Sequence, residues 1–234
     1  MFEPNAVWSG SNACLPLLEI NPLEIIHSRA NQYAEKYSGS EFPELTYIYE
    51  QTVRNHPKSH MLSGHVQGRL LSLLSKLIQP NHILEIGTFT GYSALCLAEG
   101  LAHGGHLHTI ELRNEDAKTA QKNIQLSPLG SQITVHTGNA IELIPMLDYS
   151  WDLVFIDADK EGYINYYNLV MPKLRAGGLL IADNVLFHGE VLEPPLKGKN
   201  AKAIQAFNDH VANDPAATPV LLTVRDGLLL VRKN

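Results

Sequence analysis

From residue 82 onward, short apolar runs alternate with helix-length segments. The runs are HILEI (82–86), HLHTIE (106–111), QITVH (132–136), WDLVFID (151–157) and GGLLIAD (177–183). Between and after them lie helix-length segments around 91–102, 113–126, 139–147, 161–174 and 199–213. Runs that are apolar on both faces predict a parallel sheet covered by helices on both sides. The chain closes with PVLLTVRDGLLLVRK, two strands around a tight Arg-Asp-Gly turn, so at least one strand must run antiparallel. Ahead of residue 82 the pattern is helical. Residues 22–38 and 43–55 each open at a proline, which suits a first helical turn, and HVQGRLLSLLSKLI (65–78) carries leucines at helical spacing.

In sheets of this kind, ligands bind beyond the carboxyl ends of the strands, near the point where strand order reverses. Acids cluster at those ends: Glu85, Glu111, Asp157 and Asp183. The loop after the first strand, EIGTFTGYS (85–93), has Gly87 and Gly91 but lacks the G-x-G-x-x-G spacing of a dinucleotide site. A carboxylate at Glu85 would repel a pyrophosphate and attract an amino cation. S-adenosylmethionine, with an ammonium, a sulfonium and no phosphate, is the ligand these charges suggest. Glycines let backbone approach such a ligand closely. Glu111, ending the second strand, is placed to grip ribose hydroxyls. Asp157, Asp183 and Asn184 offer oxygen ligands, which suit Mg²⁺, Mn²⁺ or Ca²⁺. Each feature alone has a plainer explanation, as a turn glycine, a solvated strand end or a helix cap. Their joint occurrence at consecutive strand ends favours a site.

Composition narrows the partners. The 234 residues carry a net charge of −6 without any run of Lys or Arg, which argues against nucleic acid or an anionic membrane as main partner. No apolar run approaches the roughly 20 residues of a membrane span. The first twenty residues lack the basic start and apolar stretch of a secretory signal, and Cys14 and Cys96 form no disulfide framework. A soluble, cytoplasmic protein is expected. Among eleven histidines, His106 and His108 share a strand face, with no third ligand evident nearby, and read as ordinary strand residues. His188, a few residues beyond Asp183 and Asn184, reads as a pocket residue.

EIGTFTGYS resembles the first motif of class I S-adenosylmethionine-dependent methyltransferases. Together with GNA (138–140), FIDADKEGYINYY (155–167) and GGLLIADNVLFHG (177–189), it resembles the cation-dependent O-methyltransferase family. That family includes caffeoyl-CoA O-methyltransferases, their bacterial relatives and, more distantly, catechol O-methyltransferase. The likeness runs from about residue 58 to the end, with the motifs in matching order and spacing. It implies an α/β, Rossmann-like, doubly wound sheet of seven strands, mostly parallel with one antiparallel strand near the C-terminus and helices on both faces. It also implies a single methyltransferase domain over 1–234, with a helical extension (1–57) and an S-adenosylmethionine-binding core (58–234).

The activity implied is methyl transfer from S-adenosylmethionine to a hydroxyl of a catechol-like small molecule, dependent on Mg²⁺ (or Mn²⁺ or Ca²⁺), by a homodimer. The resemblance assigns Asp157, Asp183 and Asn184 to the metal, and Lys160 and Asp157 to catalysis, with Lys160 as general base. It assigns Ser63, Glu85, Gly87, Thr88, Ser93, Glu111, Ala140, Asp157 and Tyr166 to the donor. Asp159 reads as a structural cap. Three positions depart from the family pattern: Phe187 where tryptophan is common, Gln205 where arginine is common, and Arg225 where a small residue is usual. All three bear on acceptor choice. The alternatives are a metal-independent methyltransferase on another acceptor and a non-catalytic S-adenosylmethionine-binding protein. A dinucleotide-dependent oxidoreductase is disfavoured by the missing glycine spacing and by Glu85.

Overall fold

The computed structural model describes residues 26–234. Seven strands form one sheet: β1 (His82–Ile86), β2 (His106–Glu111), β3 (Ile133–Thr137), β4 (Trp151–Ile156), β5 (Leu174–Asp183), β6 (Ala217–Leu222) and β7 (Leu228–Lys233). Their order is β3-β2-β1-β4-β5-β7-β6. The first five run parallel, and β7 lies antiparallel to both β5 and β6. Eight helices accompany them: α1 (Ser28–Tyr37), α2 (Pro43–Asn55), α3 (His65–Ile78), α4 (Tyr92–Ala98), α5 (Asn114–Ile124), α6 (Ala140–Met146), α7 (Tyr163–Val170) and α8 (Lys199–Ala212).

Side chains alternate across each strand, so the sheet separates two cores. Leu84, Ile86, Val154 and Ile156 face one layer with Ile144, Tyr163, Tyr167 and Phe207 of α6, α7 and α8. Ile83, Leu153 and Phe155 face the other with Leu45, Leu71 and Leu95 of α2, α3 and α4. The central strands are apolar on both faces because both faces are covered. β1 and β4 are neighbours, yet the chain proceeds from β1 toward β2 and from β4 toward β5. The reversal of strand order falls between them.

Several boundaries differ from the periodicity. α1 begins at Ser28, where the imidazole of His27 accepts a hydrogen bond from the Arg29 amide; the proline at 22 lies outside the described residues. Pro43 does open α2. The segment 161–174 divides into a 3₁₀ turn (Lys160–Gly162), α7, and a second 3₁₀ turn (Met171–Lys173). Pro172, which lacks an amide donor and whose ring crowds the preceding turn, stops the helix there. β5 accordingly starts three residues early, at Leu174.

The strand histidines have more company than their spacing suggested. His82 pairs with His106 across the β1–β2 register. His108 Nδ1 lies 3.0 Å from Nε2 of His136 on β3. The reason is register: parallel pairing brings to one face residues 28 apart in sequence.

Candidate active site

A cavity of about 660 Å³ opens at the carboxyl ends of β1, β2, β4 and β5, where the strand order reverses. Its floor depends on Gly87. This residue has φ 99°, and a Cβ there would lie 1.9 Å from the Asp157 carbonyl oxygen. The Asp157 amide donates to the Ile86 carbonyl at 2.8 Å, so the ends of β1 and β4 close on each other with no room for a side chain. Beyond Gly87, the Phe89 amide donates to Glu111 Oε2 at 2.8 Å, and the Arg113 amide donates to Oε1 at 2.9 Å. Two backbone donors thus fix the Glu111 carboxylate where β2 meets the cavity.

Glu85 is placed differently from the expectation of a direct contact. It shares the strand face of Ile83, pointing under α4, and is fully buried. Ser93 Oγ donates to its Oε1 at 2.6 Å and Thr109 Oγ1 to its Oε2 at 2.5 Å. Burial pushes its carboxyl up to about 8, despite these two hydrogen bonds pulling the other way. Glu85 does not line the cavity and reaches it through Ser93, which does, and through Thr109 and Thr88. Strand alternation decides this: Leu84 and Ile86 already face the opposite core.

The acidic group is assembled from β4, β5 and the turn after β4. Lys160 Nζ donates to Asn184 Oδ1 at 2.8 Å, to Asp157 Oδ1 at 3.2 Å and to Tyr163 Oη at 2.6 Å. Tyr163 Oη in turn donates to the Asp183 carbonyl at 2.9 Å. The Asp183 carboxylate is buried, with Oδ1 accepting from the Asn184 amide at 2.7 Å and Oδ2 from Gln67 Nε2 at 2.6 Å. Burial raises its pKa, and the nearby charge of Asp157 acts in the same direction. Asn184 sits at φ 56°, a left-handed conformation that asparagine tolerates better than most residues.

Positive charge is favoured at this spot, and the Lys160 ammonium already bridges two of the oxygens. The donors are all oxygen, and three protein donors would leave room for further oxygen ligands. The set therefore fits a hard divalent cation rather than zinc. Among the described residues, no group of three or more His, Cys, Asp or Glu side chains could hold a metal. The fit depends on the Asn184 amide as third donor.

Asp159 stands at the cap position of the turn at Lys160–Gly162, but its carboxylate makes no cap hydrogen bond. It accepts from Tyr166 Oη at 2.5 Å instead, and both residues line the cavity. The structure also brings Ser63, Gly87, Thr88, Ser93, Glu111, Ala140, Asp157, Lys160, Asp183 and Asn184 to the cavity wall. His188 joins them, its amide donating to Asp226 Oδ1 at 2.5 Å. Two residues escaped the sequence reading, Gln67 and Tyr163, both buried. Gln67 lies four positions before Leu71 on the inward face of α3, and a polar residue in register with core leucines is the signal that could have flagged it.

The sequence pattern of the O-methyltransferase family matches residues 35–234. A catechol O-methyltransferase from Niastella koreensis is 37% identical over 160 residues, covering 67% of this chain and 72% of that protein. Caffeoyl-CoA O-methyltransferase 1 from Eucalyptus globulus is 30% identical over 203 residues, covering 82% of each. Among solved structures, the O-methyltransferase from Bacillus cereus in complex with SAH superposes with a TM-score of 0.81 at 28% identity, over 88% of this chain and 97% of that one. Strand order, the cavity at the reversal point and the family match agree: the chain is an enzyme that belongs to the O-methyltransferase family.

Proposed function

We propose that this enzyme moves a methyl group from S-adenosylmethionine to one hydroxyl of an aromatic vicinal diol, with a divalent cation held by Asp157, Asp183 and Asn184. The observation that carries this reading is the gathering of those three residues around Lys160 at one end of the cavity. Support for the donor comes from the Bacillus cereus relative, solved with SAH, the demethylated form of S-adenosylmethionine. Support for the acceptor comes from two relatives whose names, catechol and caffeoyl-CoA, both denote aromatic vicinal diols.

The chain's own groups divide the task. Glu111, its carboxylate fixed by two backbone amides, receives the ribose hydroxyls of the donor. Ser63 and Ser93 face its methionine end, Ala140 faces its adenine, and Tyr166 closes the wall between. A bound cation would act as a Lewis acid on the diol, acidifying one hydroxyl and fixing its direction. Lys160 Nζ, in its neutral amine form, takes the proton of that hydroxyl and becomes the ammonium, and the Tyr163 hydroxyl holds the lysine in place. The phenolate oxygen then bonds to the methyl carbon as the carbon–sulfur bond breaks and its electron pair returns to sulfur. Catalysis rests on proximity and alignment, with no covalent enzyme intermediate.

The test is methyl transfer to catechol and related diols with EDTA, then with Mg²⁺ restored. Turnover should stop in EDTA and return with the metal. Asp183→Ala should lower it by about a hundredfold, as loss of a ligand or its support typically does. Turnover indifferent to EDTA, or methylation of monophenols while every diol fails, would sink this reading.

A further inference from the structure

Arg225 occupies a position whose backbone favours glycine. Its φ is 49°, in the turn between β6 and β7, and a non-glycine residue held there costs free energy that the surroundings must offset. Its side chain reaches back over the cavity. Nη1 donates to the Ser63 carbonyl and, at 3.3 Å, to Gln67 Oε1. Gln67 Nε2 in turn donates to Asp183 Oδ2 at 2.6 Å. The guanidinium therefore stands one amide away from the carboxylate assigned to the cation, at the acceptor end of the cavity.

Only one of its three nitrogens is engaged. Among the described residues, Nε and Nη2 have no hydrogen-bond partner and no carboxylate pairs with Arg225; the adjacent acid, Asp226, turns toward His188 instead. Arg225 is half-buried and lines both the main cavity and a second one of about 270 Å³ beside it. A fixed guanidinium with two unused donor groups, at the wall of a cavity, suits a planar anion.

We propose that Arg225 is a specificity-determining residue that binds an anionic group, a carboxylate above all, on the methyl acceptor. This rests on the acceptor reading above, and it selects acidic diols over neutral and cationic ones. A second anion source, the phosphates of a carrier such as coenzyme A, shares the same chemistry and is separated by the test.

Binding should be measured by titration calorimetry on the full chain with Mg²⁺ and S-adenosylhomocysteine present. The ligands are catechol (neutral), 3,4-dihydroxybenzoate (carboxylate), dopamine (cationic) and coenzyme A alone (phosphates). The wild type should bind the dihydroxybenzoate about tenfold or more tightly than catechol, the range of a charge-assisted hydrogen bond, and dopamine more weakly still. R225G relieves the backbone strain and R225Q retains it, and both should bring the benzoate-to-catechol ratio close to one. R225K should keep part of the preference. Equal affinity for the two diols, preference for dopamine, a ratio unmoved in both R225G and R225Q, or no binding of any diol overturns the proposal. Affinity for coenzyme A that R225G removes, with no benzoate preference, overturns the carboxylate in favour of a carrier phosphate. Turnover is recorded separately. If diols bind with the expected preference yet none is methylated, the function proposed above fails while the anion site stands.

Discussion

At the scale of single residues, the site is defined by what each polar atom is bonded to. Lys160 would be one more surface cation if nothing held it, but Asn184, Asp157 and Tyr163 fix its amine at one point. Tyr163 carries a clear prediction. Its hydroxyl, buried beneath the site, accepts from Nζ at 2.6 Å, and burial raises its pKa well above the ordinary phenol range, so it stays protonated and can donate to the Asp183 carbonyl. Tyr163→Phe removes the link between the lysine and β5. A buried hydrogen bond of this kind contributes about 1–1.5 kcal/mol, so kcat should fall about tenfold while KM for the donor holds, because Tyr163 lies behind the cavity wall and does not line it. Equal kcat in the variant would show that Tyr163 has no part in placing the lysine. FIDADKEG marked Asp157 and Lys160 in the sequence. Tyr163, three residues further, carried no mark because its hydroxyl matters only once β5 passes beside it.

At the scale of elements, the loop between β1 and α4 is tightly constrained backbone. Gly87 needs positive φ and has no space for a methyl group, whereas Gly104 has a similar φ of 79° and nothing within 4 Å of its Cβ position. The pair makes a controlled comparison. Gly104→Ala should cost only the conformational penalty, about 1 kcal/mol. Gly87→Ala must also push β1 and β4 apart, and should lower the melting temperature several times further and abolish donor binding in whatever remains folded. Similar melting temperatures for the two variants, read by calorimetry, would contradict this account of the floor. The glycines were visible in EIGTFTGYS, but the neighbour that forbids a side chain, the Asp157 carbonyl, is 70 residues away in sequence. The end of α7 shows the converse: Pro172 is a local signal, and the helix stops at it regardless of tertiary contacts.

At the scale of the whole molecule, the layout separates chemistry from a second polar cluster. His82, His106, His108 and His136 come together across β1, β2 and β3, with Tyr149 and Trp151 against His108. Burial first, and then the neighbouring imidazoles, pull His108 down to about 4. The unfolded chain takes up that proton near the ordinary value of 6.5, before the folded one does. The stability from this group is therefore complete above about pH 6.5 and is lost progressively as pH falls toward about 4. His108→Gln should lose less melting temperature than the wild type between about pH 7 and pH 5; parallel curves would mean that the cluster does not govern acid stability.

The sequence by itself determined the alternation of strands and helices, the antiparallel closing hairpin, and the positions of the acids at strand ends. Periodicity, prolines and glycines act over a few residues, and those features follow from them. Only the tertiary structure decided which way Glu85 points, that Gln67 braces Asp183, that four histidines meet, and that Arg225 reaches over the cavity from the far end of the chain. Each of these depends on strand register or on contacts between segments far apart in sequence. The identity of a residue states what it can bond to, and the packing of the sheet and its two helical layers determines what it meets.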